Sequence, residues 1–107
     1  MPKYLARARL TQEGVQGTLK EGGTARREAI RQATERLGGK LEAYYYAFGE
    51  DDVYAIFDWP DNVSAAAAMT VAASGAATQS SVVLMTAEEM DEVSKKAATS
   101  TYTPPRT

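Results

Sequence analysis

Arginines and tyrosines on three predicted strands are the side chains best suited to bind a small molecule. Alternate residues of a strand point to the same face of a sheet, so Arg7 and Arg9 share one face. A guanidinium beside tyrosine hydroxyls suits a small anionic or phenolic ligand, because it supplies charge while the rings supply apolar contact. We therefore predict a ligand site on the sheet face away from the helices, formed by Arg7 or Arg9, Tyr44 and Tyr46, and Tyr54 or Asp58.

The same side chains also have purely structural interpretations. Arg7 and Arg9 could pair with Glu42 and Asp58 on neighbouring strands and form salt bridges at an interface. The tyrosines could pack as rings between two subunits, since a ring with a polar end suits an interface.

The chain lacks the residues that many catalytic mechanisms use. The sequence contains no cysteine and no histidine, which excludes thiolate chemistry, zinc–thiolate sites, iron–sulfur clusters and the Ser-His-Asp mechanism. Gly22-Gly23 is the nearest approach to a phosphate-binding turn, and it does not match the P-loop pattern. We expect no metal, haem, flavin or nicotinamide cofactor. Enzymatic activity stays open, because Asp, Glu, Tyr and Arg can still transfer protons.

Two charged clusters are best interpreted as solvated surface. The turn Glu50–Asp52 holds three adjacent carboxylates, but its spacing matches no EF-hand calcium loop. The predicted helix at 24–37 carries four arginines on its outer surface, without interleaved aromatic residues and with two glutamates among them. Binding of nucleic acid through this helix is therefore not expected.

Length and charge indicate one domain that gains from self-association. The chain has 107 residues and a net charge of −2, which gives no strong attraction to nucleic acid or anionic membranes. Residues 1–40 hold nine Lys/Arg and four Asp/Glu, whereas residues 41–107 hold three and ten. Such complementary patches could guide subunits together. The N-terminus has no signal-peptide pattern, no apolar run could span a membrane, and a cytoplasmic location is expected.

Periodicity and capping residues predict a split βαβ arrangement. Thr11 is a predicted helix cap, and Thr86 with Glu89 forms a predicted capping box. The predicted elements are a strand at 3–10, helices at 12–20 and 24–37, strands at 40–48 and 52–59, a helix at 62–74, a strand at 77–85 and a helix at 87–97.

This order predicts an α+β, ferredoxin-like fold: a four-stranded antiparallel sheet with helices on one face and an extra C-terminal helix. Strict alternation along the second strand places Tyr44 and Tyr46 opposite Leu41 and Tyr45, without deciding which pair meets the helices. The other face would be aromatic and uncovered, so a second copy of the chain is the expected cover. Residues 1–97 form the predicted domain, and 98–107 form a polar tail with two prolines.

The chain resembles the GYD domain family of small bacterial proteins in four segments: MPKYLARARLTQEGV, LGGKLEAYYYAFGEDDVYAIFDWPDN, AAAA and TAEEM. The resemblance runs from Met1 to about Lys96, and its most specific parts are the LGGKL turn, the hairpin and the DWPDN exit. Gly49 and Asp52 match the family's hairpin signature, but Asp51 occupies the position of its tyrosine.

The resemblance implies a dimeric α/β barrel, in which the sheets of two subunits close one shared barrel. That wider group includes haem-degrading and quinone-forming monooxygenases, dehydratases and binding proteins, so the fold does not decide the function. Three hypotheses follow. The first is a non-enzymatic module that binds itself or a small molecule. The second is a cofactor-independent enzyme acting on an aromatic or carbonyl substrate, and the third is a sheet-face RNA binder.

Overall fold

The structure of the protein is a computed structural model that describes residues 2–60, 66, 69, 73–101 and 103–105. Nine of the thirteen residues of the predicted helix at 62–74 fall outside these residues. The described residues contain four strands and three helices. These are β1 (Lys3–Leu10), α1 (Gln12–Glu21), α2 (Gly23–Arg36), β2 (Lys40–Tyr46), β3 (Val53–Asp58), β4 (Ala77–Leu84) and α3 (Ala87–Thr99).

The four strands form one antiparallel sheet in the order β2-β3-β1-β4. The two strands joined by the hairpin, β2 and β3, are neighbours, and β1 lies in the centre between β3 and β4. This is the strand order of a split βαβ unit, and the predicted α+β, ferredoxin-like fold is confirmed.

The helices α1 and α3 begin directly after their predicted capping residues, Thr11 and Thr86. The Thr11 hydroxyl accepts a hydrogen bond from Gly14 N at 3.2 Å at the start of α1. Thr86 and Glu89 form the predicted capping box at the start of α3, with bonds of 3.0 and 3.1 Å. Each bond satisfies a backbone amide that the first helical turn leaves without a partner. The helix α3 runs to Thr99, two residues beyond the predicted domain boundary at 97.

The two faces of the sheet differ in burial. We call one the helix face, defined by Ala6, Ala8, Val53, Ala55 and Phe57, because α1 and α2 pack over it. The opposite side is the open face. It is defined by Leu5, Arg7, Tyr45, Tyr54 and Ile56, which are paired across strands in register. The buried apolar residues of the described chain belong to the helix face and its edge: Ala6, Leu41, Val53, Ala55, Trp59 and Ala77.

A β-bulge changes the alternation along β2. Leu41 pairs with Phe57 and Ala43 pairs with Ile56, so one extra residue, Glu42, is inserted between two successive pairs. The insertion places Leu41 on the same face as Tyr44, which strict alternation had placed opposite. The apolar face of β3 meets the helices, and Tyr44 therefore joins the helix face.

The C-terminal helix α3 stands apart from the rest of the described chain. All of its residues are exposed, including Met90 and Val93. Its contacts with the other described elements are at most sparse. Among the described residues, no helix combines the length and apolar character needed to cross a bilayer.

Candidate functional site

The structure divides the six predicted site residues between the two faces of the sheet. Four lie on the open face: Arg7, Arg9, Tyr54 and Asp58. The other two, Tyr44 and Tyr46, lie on the helix face opposite Ala55 and Val53. The predicted grouping of these tyrosines with the arginines is therefore wrong. The bulge at Glu42 and the apolar face of β3 together set this orientation, whereas ligand binding by either group stays a prediction.

On the open face, a lysine forms the ion pairs that the sequence suggested for the arginines. Lys3 Nζ lies 3.0 Å from Glu42 Oε2 and 3.0 Å from Asp58 Oδ1. The register explains this partner, because Lys3 is directly opposite Asp58, while Arg7 is opposite Tyr54. Hydrogen bonds to Asp58 and then Glu42 raise the pKa of the Lys3 ammonium. These two carboxylates are thus already engaged by one cation.

The two arginines line a shallow depression of about 230 Å³ at the β1–β4 side of the open face. Asp51, Thr78 and Ser80 also line it. Arg9 Nε donates to Glu50 O at 3.0 Å, which ties the arginine to the hairpin. Arg7 Nε is buried without a hydrogen-bond acceptor among the described residues. The depression is polar and open to solvent, and the hydrogen bond from Arg9 to the backbone of Glu50 holds one of its two arginines in place.

The acidic hairpin uses one of its carboxylates to hold the backbone. Asp52 Oδ2 accepts a hydrogen bond from Leu10 N at 2.8 Å. Asp52 N donates to Ala8 O, and Asp52 O accepts from Ala47 N, each at 2.8 Å. The hairpin is therefore fastened to the end of β1. Within the described ranges, no group of three or more acidic residues has an arrangement that could hold a metal ion.

On the helix face, two tyrosines meet edge to face at the start of α2. The rings of Tyr44 and Tyr46 are 5.4 Å apart between centroids and lie at 82° to each other. Tyr46 Oη donates to Gly23 O at 3.1 Å. Burial raises the pKa of the Tyr44 hydroxyl to about 12, Tyr46 adds to the rise, and the charge of Arg26 opposes it. Tyr44 is therefore a neutral hydroxyl at physiological pH.

A cavity of about 180 Å³ lies beside these rings on the helix face. Arg26 and Tyr44 contribute its polar groups, together with hydroxyl and amide side chains. Most of its wall is apolar and includes the stacked pair Phe57 and Trp59, whose ring centroids are 5.2 Å apart. Sequence reasoning assigned Arg26 to the outer surface and missed this cavity. The helical period alone could not reveal it, because the bulge decides which tyrosine faces Arg26.

Comparison with family profiles places most of the chain in one family. The GYD domain profile matches residues 4–93. The chain belongs to the GYD domain family. No curated protein and no solved structure matches it. The matched range of this GYD domain includes the hairpin, Tyr44 and Tyr46, and both arginines of the open face. In its hairpin, Asp52 holds the end of β1, and Asp51 borders the depression that contains the arginines.

Proposed function

We propose that this GYD domain is a non-enzymatic module that associates with a second copy through the open face of its sheet. The observation that carries the proposal is the difference in burial between the faces. The described buried apolar residues lie on the helix face or its edge, and none is an open-face residue. A four-stranded sheet needs an apolar cover on each apolar face, and a second sheet is a cover of the right shape.

The composition of the open face supports an interface. Leu5 and Ile56 are paired on the two central strands and are only partly covered, and Tyr45 on the edge strand β2 is 69% exposed. Towards the ends of β1, Lys3 binds two carboxylates and Arg9 binds the hairpin, and Arg7 lies between them opposite Tyr54. Aromatic residues and arginine are among the residue types enriched at protein–protein interfaces.

The area of the open face suggests that α3 also takes part. Four strands about 4.8 Å apart and about seven residues long cover about 440 Å² in projection. A stable interface buries about 800 Å² of accessible surface on each partner, and even though accessible surface over side chains exceeds its projection, the sheet alone would form a small interface. Met90 and Val93 expose an apolar stripe on α3 that has no extensive cover within the described chain. Contact of this stripe with the second copy would supply the missing area.

Charge favours self-association over the RNA alternative. Residues 1–40 carry a net charge of +5 and residues 41–107 a net charge of −7, so two copies can present opposite charges to each other. On the open face, Lys3 is neutralised by two carboxylates and Asp51 lies beside the arginines. A sheet face that binds RNA needs an unpaired positive field and exposed rings together. The enzyme alternative receives no comparable support from the open face.

The test is the molecular mass in solution of the 11.5 kDa chain. Light scattering after gel filtration, at micromolar concentration, should give twice this mass or a larger multiple. Tyr45→Lys replaces an exposed ring of the proposed interface with a charge and should give a folded monomer. Leu19→Lys is the matched control, because Leu19 is 80% exposed on α1 away from the open face, and its variant should keep the wild-type mass. A monomeric wild type at this concentration would refute the proposal.

A further inference from the structure

We infer that the helix-face cavity is a binding site for a small aromatic carboxylate with a single ring. In this assignment, Arg26 and the Tyr44 hydroxyl bind the carboxylate, and the apolar wall of the cavity binds the ring. The site lies across the sheet from the open face, so it does not depend on the self-association proposed above. The described residues supply a charged end, an apolar wall and a volume, and each of these restricts the ligand.

The charged end fits a carboxylate. Within the described chain, Arg26 forms one ion pair, a long one to Glu21, with Arg26 Nη1 3.5 Å from Glu21 Oε2. Strong charge-assisted hydrogen bonds are about 2.7–2.9 Å long, so this contact leaves the guanidinium fork available. The fork matches the two oxygens of a carboxylate in geometry. Tyr44 lies within the electrostatic reach of the same guanidinium, and its neutral hydroxyl, which is hydrogen-bonded to Tyr46, can turn its single proton to the carboxylate instead.

The apolar wall fits a ring. Phe57 and Trp59 are stacked with an angle of 16° between their planes, and both line the cavity. Ile30 and Leu37 of the α2 region lie across from them. Aromatic ligands gain from contact with such walls through apolar burial and ring–ring packing.

The volume limits the size of the ligand. An apolar cavity of about 150 Å³ accepts one benzene ring, and ordinary drug-sized ligands need about 300 Å³ or more. A cavity of about 180 Å³ therefore accepts one ring with a short acidic substituent. Among the described residues that line the cavity, Arg26 alone is charged, which also favours a monoanion, because a second negative charge would have no cation to pair with.

The experiment measures binding of phenylacetate by titration calorimetry. The matched probes are 2-phenylacetamide, which keeps the ring without the charge, and acetate, which keeps the charge without the ring. Phenylacetate should bind at least about tenfold more tightly than either probe, since a hydrogen bond to a charged group changes affinity by about tenfold or more. Equal binding of the amide, or no binding of phenylacetate at about 10 mM, would overturn the assignment.

Variants of one helix separate cavity binding from general attraction to positive charge. Arg26→Ala should weaken phenylacetate binding at least about tenfold. Arg31→Ala is the control, because Arg31 lies on α2 with a similar side-chain exposure and does not line the cavity. It should change binding less than about twofold. Equal losses in the two variants would assign the binding to surface charge and overturn the site.

A third variant tests the ring-binding wall without removing charge. Ala33 is exposed on α2 and lines the cavity. Ala33→Phe should abolish phenylacetate binding while leaving Arg26 in place, because the new ring occupies the volume. The far-ultraviolet circular dichroism of each variant should match the wild type. Unchanged affinity in a folded Ala33→Phe variant would contradict the site, whatever the oligomeric state of the chain.

Discussion

The two faces of the sheet use the same strands but meet different surroundings. Neighbouring residues on β3 show the contrast most directly: Ala55 is buried on the helix face, and Ile56, the larger and more apolar of the two, is only partly covered on the open face. In a stable monomer, the larger apolar side chain would be expected at the better covered position. The reversal is the pattern expected if a second copy covers the open face, as proposed above.

The helix face also shows why small residues occur where a helix packs on a sheet. Ala6, Ala55 and Ala77 are buried there, and each leaves room for a helix or a large ring close to the sheet. The open face instead carries long side chains that extend outwards, such as those of Arg7 and Tyr45. The helix face therefore combines small residues with large rings such as that of Phe57, whereas the open face lacks buried small residues among the described positions.

The largest expected effect comes from placing the same charge on either side of β3. Ala55→Asp buries a carboxylate without a partner and should destabilise the fold by about 4 kcal/mol or more, which approaches the whole stability of a small domain. Ile56→Asp should leave a folded chain and abolish self-association. Circular dichroism during urea titration, combined with light scattering, measures both. The contrast between the faces breaks down if Ile56→Asp unfolds the chain and Ala55→Asp does not.

The second-largest effect is expected where α1 packs most closely against the residue that precedes β4. A methyl group at Gly14 of α1 would overlap the backbone carbonyl of Ala76, just before β4, and this atom cannot move aside cheaply. Gly14→Ala should therefore destabilise the protein by about 3 kcal/mol. Gly17 lies one turn later with open space around it, and Gly17→Ala should stabilise α1 by about 0.8 kcal/mol through helix propensity. Thermal unfolding of both variants gives the comparison, and equal shifts would show that the close approach is absent.

A third effect separates two neighbouring carboxylates of the hairpin. Asp52→Ala removes the acceptor for Leu10 N and should lower the free energy of unfolding by about 2 kcal/mol, because a partly buried amide loses its hydrogen bond. Asp51→Ala changes a side chain that borders the open depression and should alter stability by less than about 0.5 kcal/mol. Urea unfolding midpoints measure both. A larger loss for Asp51→Ala would assign the structural role to the wrong carboxylate.

The sequence predicted the elements well because their signals are local. The alternation of residues 3–10, the Thr11 cap and the Thr86–Glu89 capping box each act within a few residues, and the structure confirms all three. The order of the strands followed from the short hairpin and the element order. These features need no knowledge of distant contacts.

The site was predicted less well because one irregularity, the bulge in β2, determines which of its residues lie on the same face. The extra residue Glu42 has no signal in the alternation of β2, and it decides which face receives Leu41 and Tyr44. The role of Asp52 is equally non-local, since Leu10 is forty-two residues away in sequence. Single-sequence patterns identified the tyrosines as unusual and could not identify their neighbours.

The smallest expected effect uses the titration of Tyr44 to test the face on which the bulge places it. Burial raises the pKa of its hydroxyl to about 12. The folded state then favours the protonated hydroxyl, so its contribution to stability is complete below the ordinary tyrosine pKa of about 10 and is lost as pH rises from about 10 to about 12. Because the side chain is only partly buried, solvent screening limits this contribution to about 1 kcal/mol. Wild type should therefore lose about 1 kcal/mol more stability than Tyr44→Phe between these pH values. The difference between the ultraviolet titrations of the two proteins near 295 nm isolates this hydroxyl. A midpoint near pH 10 in that difference would mean that Tyr44 is solvated and does not face the helices.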